Sequence, residues 1–231
     1  MTSPRASSVS LSVIVVALDE ERRLPLLLKS IEKQMPNSML KEIILVDNGS
    51  CDNTLTIMKA FEKKYSICSV FQNTMCLSEV YDFATRIASG TYISYLDADM
   101  ALPLGWFDTV EKLVKTYGRY CAGFVARLLP LQRYHGPLNR FLMAYFLGDT
   151  ARDGFWKEKT FHSGGLVIRR EVAQRIGFRK NLPSSYDGDF SFRFLNQGYK
   201  ACYFPSRYFV FDEQYYTLYG LLSYYRKMGI S

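Results

Sequence analysis

The stretch "LSVIVVA" (Leu11–Ala17) is almost unbroken apolar sequence, rich in β-branched residues. A strand with one wet face alternates polar and apolar residues. A strand without alternation must be covered on both faces, as in a parallel sheet with helices on either side. The pattern returns three times at short intervals: "EIILVD" (Glu42–Asp47), "ICSVFQ" (Ile67–Gln72) and "TYISYL" ahead of Asp97. Helical stretches lie between. Pro25 suits a first helical turn, with Leu27, Leu28 and Ile31 as its apolar stripe. "NGSCDNT" is turn chemistry, followed by a helix marked by Ile57, Met58 and Phe61. Ser78 and Glu79 start another helix that runs through Ala88 and stops at Gly90. The first ~100 residues therefore predict an α/β fold, a doubly wound, mostly parallel sheet flanked by helices. Such sheets bind ligands at the carboxyl ends of their strands. Asp47, Asp97 and Asp99 all fall at such ends.

Beyond residue 100 the pattern is less regular. "WFDTVEKLVKTYG" predicts a helix ended by Gly118, and "CAGFVARL" a strand. Residues 130–160 predict an irregular cover with a short helix, carrying Arg133, Arg140 and Trp156. "SGGLVIRREVAQRIG" predicts a strand and then a helix. "SYDGDFSFRFLNQGYKACYFP" predicts a turn, a helix starting near Asp189, a stop at Gly198 and a strand. "MTSPRASSVS" (residues 1–10) is expected to be a flexible tail without a signal-peptide core, and residues 11–231 a single domain. "FLMAYFLG" is too short to span a membrane.

The five cysteines lack metal-site spacing and are expected as free thiols in a reducing, cytoplasmic setting. With only His135 and His162 as histidines, any metal would be held by oxygen. The net charge of +7 fits a solvated basic surface, an anionic ligand or peripheral contact with an acidic membrane. Basic and aromatic residues around Arg133–Arg152 and Tyr215–Lys227 would carry that contact. No nucleic-acid module is present, so nucleic acid is not an expected partner.

"GTYISYLDADM" (Gly90–Met100) carries two carboxylates two residues apart. In an extended segment they face the same way. They repel, and are costly to ionise together without a cation. Mn²⁺ or Mg²⁺, bridging them to a diphosphate, is the economical occupant. Turn or capping aspartates are the alternative.

In five stretches the chain resembles the family 2 glycosyltransferases, inverting nucleotide-sugar enzymes of the GT-A fold. They are "SVIVVALDEE" (Ser12–Glu21), "ILVDNGSCDNT" (Ile44–Thr54), "ASGTYISYLDADM" (Ala88–Met100), "SGGLVIRREV" (Ser163–Val172) and "YDGDFSFRFLNQGYK" (Tyr186–Lys200), in the family's order and spacing. The resemblance implies a nucleotide-binding half, 11–100, and an acceptor-binding half, 101–231. It implies that Asp47 contacts the nucleobase, with Ala17, Leu18 and Glu20 near the nucleoside. Asp97 and Asp99 would hold metal and diphosphate, with Asp99 closest to the metal. Gly164 and Gly165 would line the sugar and acceptor site, and Asp187 would be the catalytic base. The implied partners are a nucleotide-diphosphate sugar and a saccharide or lipid-linked acceptor.

The chain departs from the family pattern at several positions. Leu18 stands where a stacking Tyr or Phe is common. Tyr81-Asp82 stands where Arg-Asn is frequent, and Ala84 replaces a common glycine. Tyr81 is the candidate replacement ring for the base. Tyr186 replaces a glutamate. Phe211-Asp212 lies where many members carry a metal-binding histidine, which makes Asp212 a candidate third ligand. Asp189 is expected to cap a helix, His162 to be structural, and Trp156 to pack. Two rivals follow. One is a sugar-phosphate nucleotidyltransferase, against which the acidic, glycine-free "LDEERR" argues. The other is an inactive nucleotide-binding protein of the same fold.

Overall fold

The computed structural model describes residues 9–126, 129–130, 155–156, 161–182, 184–203 and 210–211. In chain order the elements are β1 (Leu11–Ala17), α1 (Leu24–Glu32), β2 (Leu40–Asp47), α2 (Thr54–Lys64), β3 (Cys68–Gln72), α3 (Leu77–Ile87), β4 (Tyr92–Asp97) and α4 (Trp106–Tyr117). There follow β5 (Gly123–Val125), β6 (Leu129–Pro130), β7 (Phe155–Trp156), β8 (Leu166–Arg169), α5 (Arg170–Ile176), α6 (Tyr186–Asn196), β9 (Ala201–Tyr203) and β10 (Val210–Phe211).

Every residue of β1 is buried, as its unbroken apolar run requires. Val13 and Val15 point into one core with Leu24, Leu27, Met58 and Phe107 from α1, α2 and α4. Ile14 and Val16 point into a second with Val80, Ala84, Val172, Phe190 and Phe194 from α3, α5 and α6. The period of two thus divides one strand between two apolar layers.

The main sheet has eight strands in the order β3-β2-β1-β4-β8-β5-β9-β7. Its first four strands are parallel. β8 then runs antiparallel to both β4 and β5, so the sheet is mixed in its second half. β6 and β10 form a separate parallel pair. In the register, Ala17 lies opposite Asp47 and Val16 opposite Asp97. Three adjacent strands therefore end at one level.

Several expectations are corrected. Ser10 is not part of a free tail: its backbone N–H donates to Thr91 Oγ1 at 2.8 Å, and its carbonyl accepts from Tyr92 N–H at 2.9 Å. α6 starts at Tyr186 rather than near Asp189, which puts both aspartates in its first turn. Trp156 lies in a strand, opposite Ala201, rather than in an irregular cover. Cys121 and Cys202 are joined by a disulfide, while Cys51, Cys68 and Cys76 are free. The parallel pairing of β5 with β9 brings together two cysteines 81 residues apart. Asp212, the expected short helix and the segments around Arg133–Arg152 and Tyr215–Lys227 lie outside the described residues.

Gly90 does more than stop α3. A Cβ there would lie 2.6 Å from Ser12 N and 2.9 Å from Leu11 C, both backbone atoms of β1. Gly90→Ala is expected to cost about 1–3 kcal/mol through overpacking, lowering Tm by roughly 2–12 °C. Gly188 meets nothing within 4 Å, so Gly188→Ala in α6 is the control and is expected to leave Tm unchanged or raised. Thermal melts followed by circular dichroism measure both.

Candidate active site

Asp47 closes β2 with 1% of its surface exposed. Its Oδ2 accepts the Ser50 N–H at 3.3 Å, a local turn contact. Among the described residues its Oδ1 is buried without a hydrogen-bond partner, as is Asn48 Oδ1 beside it. Buried acceptors are rarely left unpaired. A donor from a ligand is the kind of group that would satisfy them.

The loops after β1 and β2 are laced together. Asn48 N–H donates to Ala17 O at 2.9 Å, Cys51 N–H to Asp19 Oδ1 at 2.8 Å, and Glu20 N–H to Thr54 Oγ1 at 2.7 Å. Ala17 is buried, whereas Leu18 stands 51% exposed at the lip. The Glu20 carboxylate is held by the Arg23 guanidinium through both oxygens, each at 2.5 Å, so its immediate work is to anchor the start of α1.

β4 ends at Asp97, and the chain then turns, with Met100 N–H donating to Asp97 O at 3.1 Å. Asp99 therefore sits in a turn, not in the extended geometry the sequence suggested. The turn still leaves Asp99 close enough to act on Asp97. Burial, then the charges of Asp99 and Asp187, push the Asp97 carboxyl up to about 7, against the Tyr81 hydroxyl bond and the charge of His162.

Gly164 packs directly on this carboxylate: a Cβ would lie 2.2 Å from Asp97 Oδ2. Gly165 adopts φ +79° and donates its N–H to Tyr95 O at 2.8 Å, which fixes the turn on β4.

The Tyr81 ring is not available to a base. It is 3% exposed and stacks on Tyr186 with centroids 4.9 Å apart, and its hydroxyl donates to Asp97 Oδ1 at 3.4 Å. The apolar layer under α3 draws the ring inward, so the expected stacking platform is instead a support for Asp97.

Asp187 lies in the first turn of α6 and faces the same region. Its Oδ2 is 3.0 Å from His162 Nδ1, and its Oδ1 accepts the Gly188 N–H at 2.8 Å. Burial alone would raise its pKa. The hydrogen bond and charge of His162, with backbone N–H groups, outweigh that and hold it below the usual carboxylate range. His162 is raised in turn, chiefly by this hydrogen bond and despite its own desolvation.

Asp189 faces elsewhere: it pairs with Arg193 at 2.7 Å and Arg179 at 3.3 Å. It is an ion-pair partner rather than a cap. His162, expected as structural, lies against Asp187, a contact the sequence reading did not foresee. Its two-residue distance from Gly164 was the available signal.

Among the described residues no three His, Cys, Asp or Glu side chains gather into a metal cage. Asp97 and Asp99 fit a hard divalent cation that completes its shell with phosphate oxygens and water, since such a cation would relieve their repulsion. Gly164→Ala is expected to displace the Asp97 carboxylate in a folded protein. Turnover should fall by roughly 100-fold, with Tm close to wild type, as checked by kinetics and melts on one preparation.

The sequence profile of Glycosyl transferase family 2 matches residues 12–177. A cholesterol galactosyltransferase from Borreliella burgdorferi is 36% identical over 89 residues, covering 38% of this chain and 24% of that protein. The chain thus spans about a quarter of that relative's length. The crystal structure of residues 1–349 of S. aureus TarS with UDP-GlcNAc superposes with a TM-score of 0.67 at 18% identity, covering 87% of this chain and 58% of that one. The mannosyltransferase PcManGT from Pyrobaculum calidifontis, in complex with GDP-Man and Mn²⁺, gives 0.65 at 21% identity over 87% and 56%. These likenesses show a shared GT-A fold. With the profile spanning most of the chain, the protein belongs to glycosyl transferase family 2.

Proposed function

We propose that this chain is a metal-dependent inverting glycosyltransferase. It would move a sugar from a nucleoside-diphosphate sugar to an acceptor hydroxyl or a lipid phosphate. The observation that carries this is the convergence of Asp97 and Asp187 on one region, with Asp187 held below and Asp97 pushed above the ordinary carboxylate range.

Asp47 accepts a base N–H, with Ala17, Leu18 and Glu20 around the nucleoside. Asp97 and Asp99, with Asp212 as a candidate third ligand, would hold Mn²⁺ or Mg²⁺ and the diphosphate. The bound cation supplies charge stabilisation to the departing diphosphate. Gly164 and Gly165 let the sugar and acceptor approach closely. Asp187 takes the acceptor's proton as the new C–O bond forms and the diphosphate leaves with its bonding electrons. No second acid is needed, because the diphosphate leaves without protonation.

A lipid acceptor finds support in the cholesterol galactosyltransferase relative, and contact with an acidic membrane surface in the net charge of +7. No helix among the described residues is long and apolar enough to cross a membrane. A cytoplasmic location would keep Cys121 and Cys202 reduced, so their redox state in protein alkylated at lysis reports the compartment.

The test is a donor panel with Mn²⁺, read as the product released. Nucleoside diphosphate supports the proposal. Pyrophosphate would instead indicate nucleotidyl transfer, and no product an inactive binding protein. UDP-, dTDP- or GDP-sugars should be preferred over CDP-sugars, because cytosine offers no ring N–H to Asp47.

Asp97 also sets a pH dependence. Its folded pKa of about 7 lies above the ordinary carboxylate range. Between those values the folded chain keeps a proton that the unfolded chain has lost, so stability falls as pH rises through that window. Mn²⁺ binds the ionised form, so its stabilising effect should grow from about pH 6 to about pH 8. Thermal melts with and without Mn²⁺ measure this, and Asp99→Ala should abolish the increment.

Asp187→Asn is expected to lower kcat by about 10²–10⁴-fold, with donor and Mn²⁺ binding by calorimetry nearly unchanged. Asp189→Asn should instead cost roughly 1–3 kcal/mol of stability and leave kcat near normal. The reverse pattern would exchange the two roles.

A further inference from the structure

His162 is placed by two anchors that belong to the two halves of the site. On one side Phe161 is buried and meets Phe194 of α6 edge-on at 5.3 Å. On the other, Gly164 rests on Asp97 and Gly165 donates to Tyr95 O of β4. The histidine backbone is thus clamped between the helix that carries Asp187 and the strand that ends in Asp97. Its side chain is 76% exposed, against 23% for Asp187. A histidine kept for packing would be buried. This one is largely exposed and, among the described residues, makes one defined contact, 3.0 Å from Nδ1 to Asp187 Oδ2.

An ionised carboxylate can only accept, so Nδ1 carries the hydrogen. Oδ1 of Asp187 is already held by the Gly188 N–H. With one donor on each oxygen the carboxylate's rotation is restrained, which directs its remaining lone pairs. Among the described residues the charged groups facing His162 are Asp187 in contact and Asp97 at longer range. Both are acidic.

We propose that His162 is a positioning residue for Asp187, orienting the carboxylate through the Nδ1–H to Oδ2 bond so that it meets the acceptor hydroxyl. This rests on the reading of Asp187 as the base. The histidine also works against the desolvation that acts to raise the Asp187 pKa.

Two measurements test it. The first is histidine ring NMR, in which His135 is the other histidine and His162→Ala gives the assignment. His162 should show the Nδ1–H tautomer when neutral and titrate above the ordinary histidine value. In Asp187→Asn it should return to that value. The second is the pH profile of donor hydrolysis, using UDP-, dTDP- and GDP-sugars with water as acceptor, at saturating Mn²⁺ so that Asp97 and Asp99 stay ionised. His162→Ala should move the acid limb of kcat upward by about one pH unit, a loss of about tenfold below the limb, with donor KM little changed. His162→Gln, which keeps an N–H donor, should recover part of the loss.

The inference is overturned if Asp187→Asn is inactive while His162→Ala lowers kcat equally at every pH or not at all. It is equally overturned if His162 titrates identically in the wild type and in Asp187→Asn. If Asp187→Asn keeps wild-type kcat, the base reading itself falls, and this inference with it.

Discussion

Asp97 is brought close enough to Asp99 and Asp187 to feel the charge of both, on top of its own burial. Left alone, such a cluster would hold protons at neutral pH or push its loops apart. The surrounding chain opposes both outcomes. Tyr81 donates a hydroxyl to Asp97, Gly164 closes over it without a side chain, and His162 offsets the charge of Asp187. The remaining repulsion on Asp97 is of the kind that a divalent cation would relieve.

The departures from the family pattern become intelligible on this basis. Tyr81 and Tyr186 replace charged residues common at those positions, and they stack on one another beneath Asp97. Phe178 extends the layer to Phe190, with centroids 4.6 Å apart. An aromatic layer lowers the local dielectric response, so each hydrogen bond to the carboxylates counts for more than it would in water. It also makes an unpaired charge there more costly, which helps explain why the Asp97 carboxyl rises while Asp187, with its histidine, does not.

The parallel half of the sheet was legible because burial on both faces writes itself into consecutive residues. Leu11–Ala17 has few other ways to hide its side chains, and Asp47 and Asp97 mark strand ends because a carboxylate cannot continue such a run. The second half was less legible for a physical reason. β5, β7, β8 and β9 are two to four residues long and draw their stability from neighbours. Nothing local in "SGGLVIRR" says that its strand runs antiparallel to β4.

From its sequence alone this protein is committed to a buried parallel sheet with acidic strand ends and to a family with a known order of motifs. The tertiary structure decided what pairs across long separations. It turned the Tyr81 ring into the core, joined Cys121 to Cys202, sent Asp189 to Arg193, and set His162 against Asp187, 25 residues away in the chain. Periodicity reports which face of an element is buried. It does not report which side chain of another element lies opposite, because that depends on how β8 and α6 dock on the sheet.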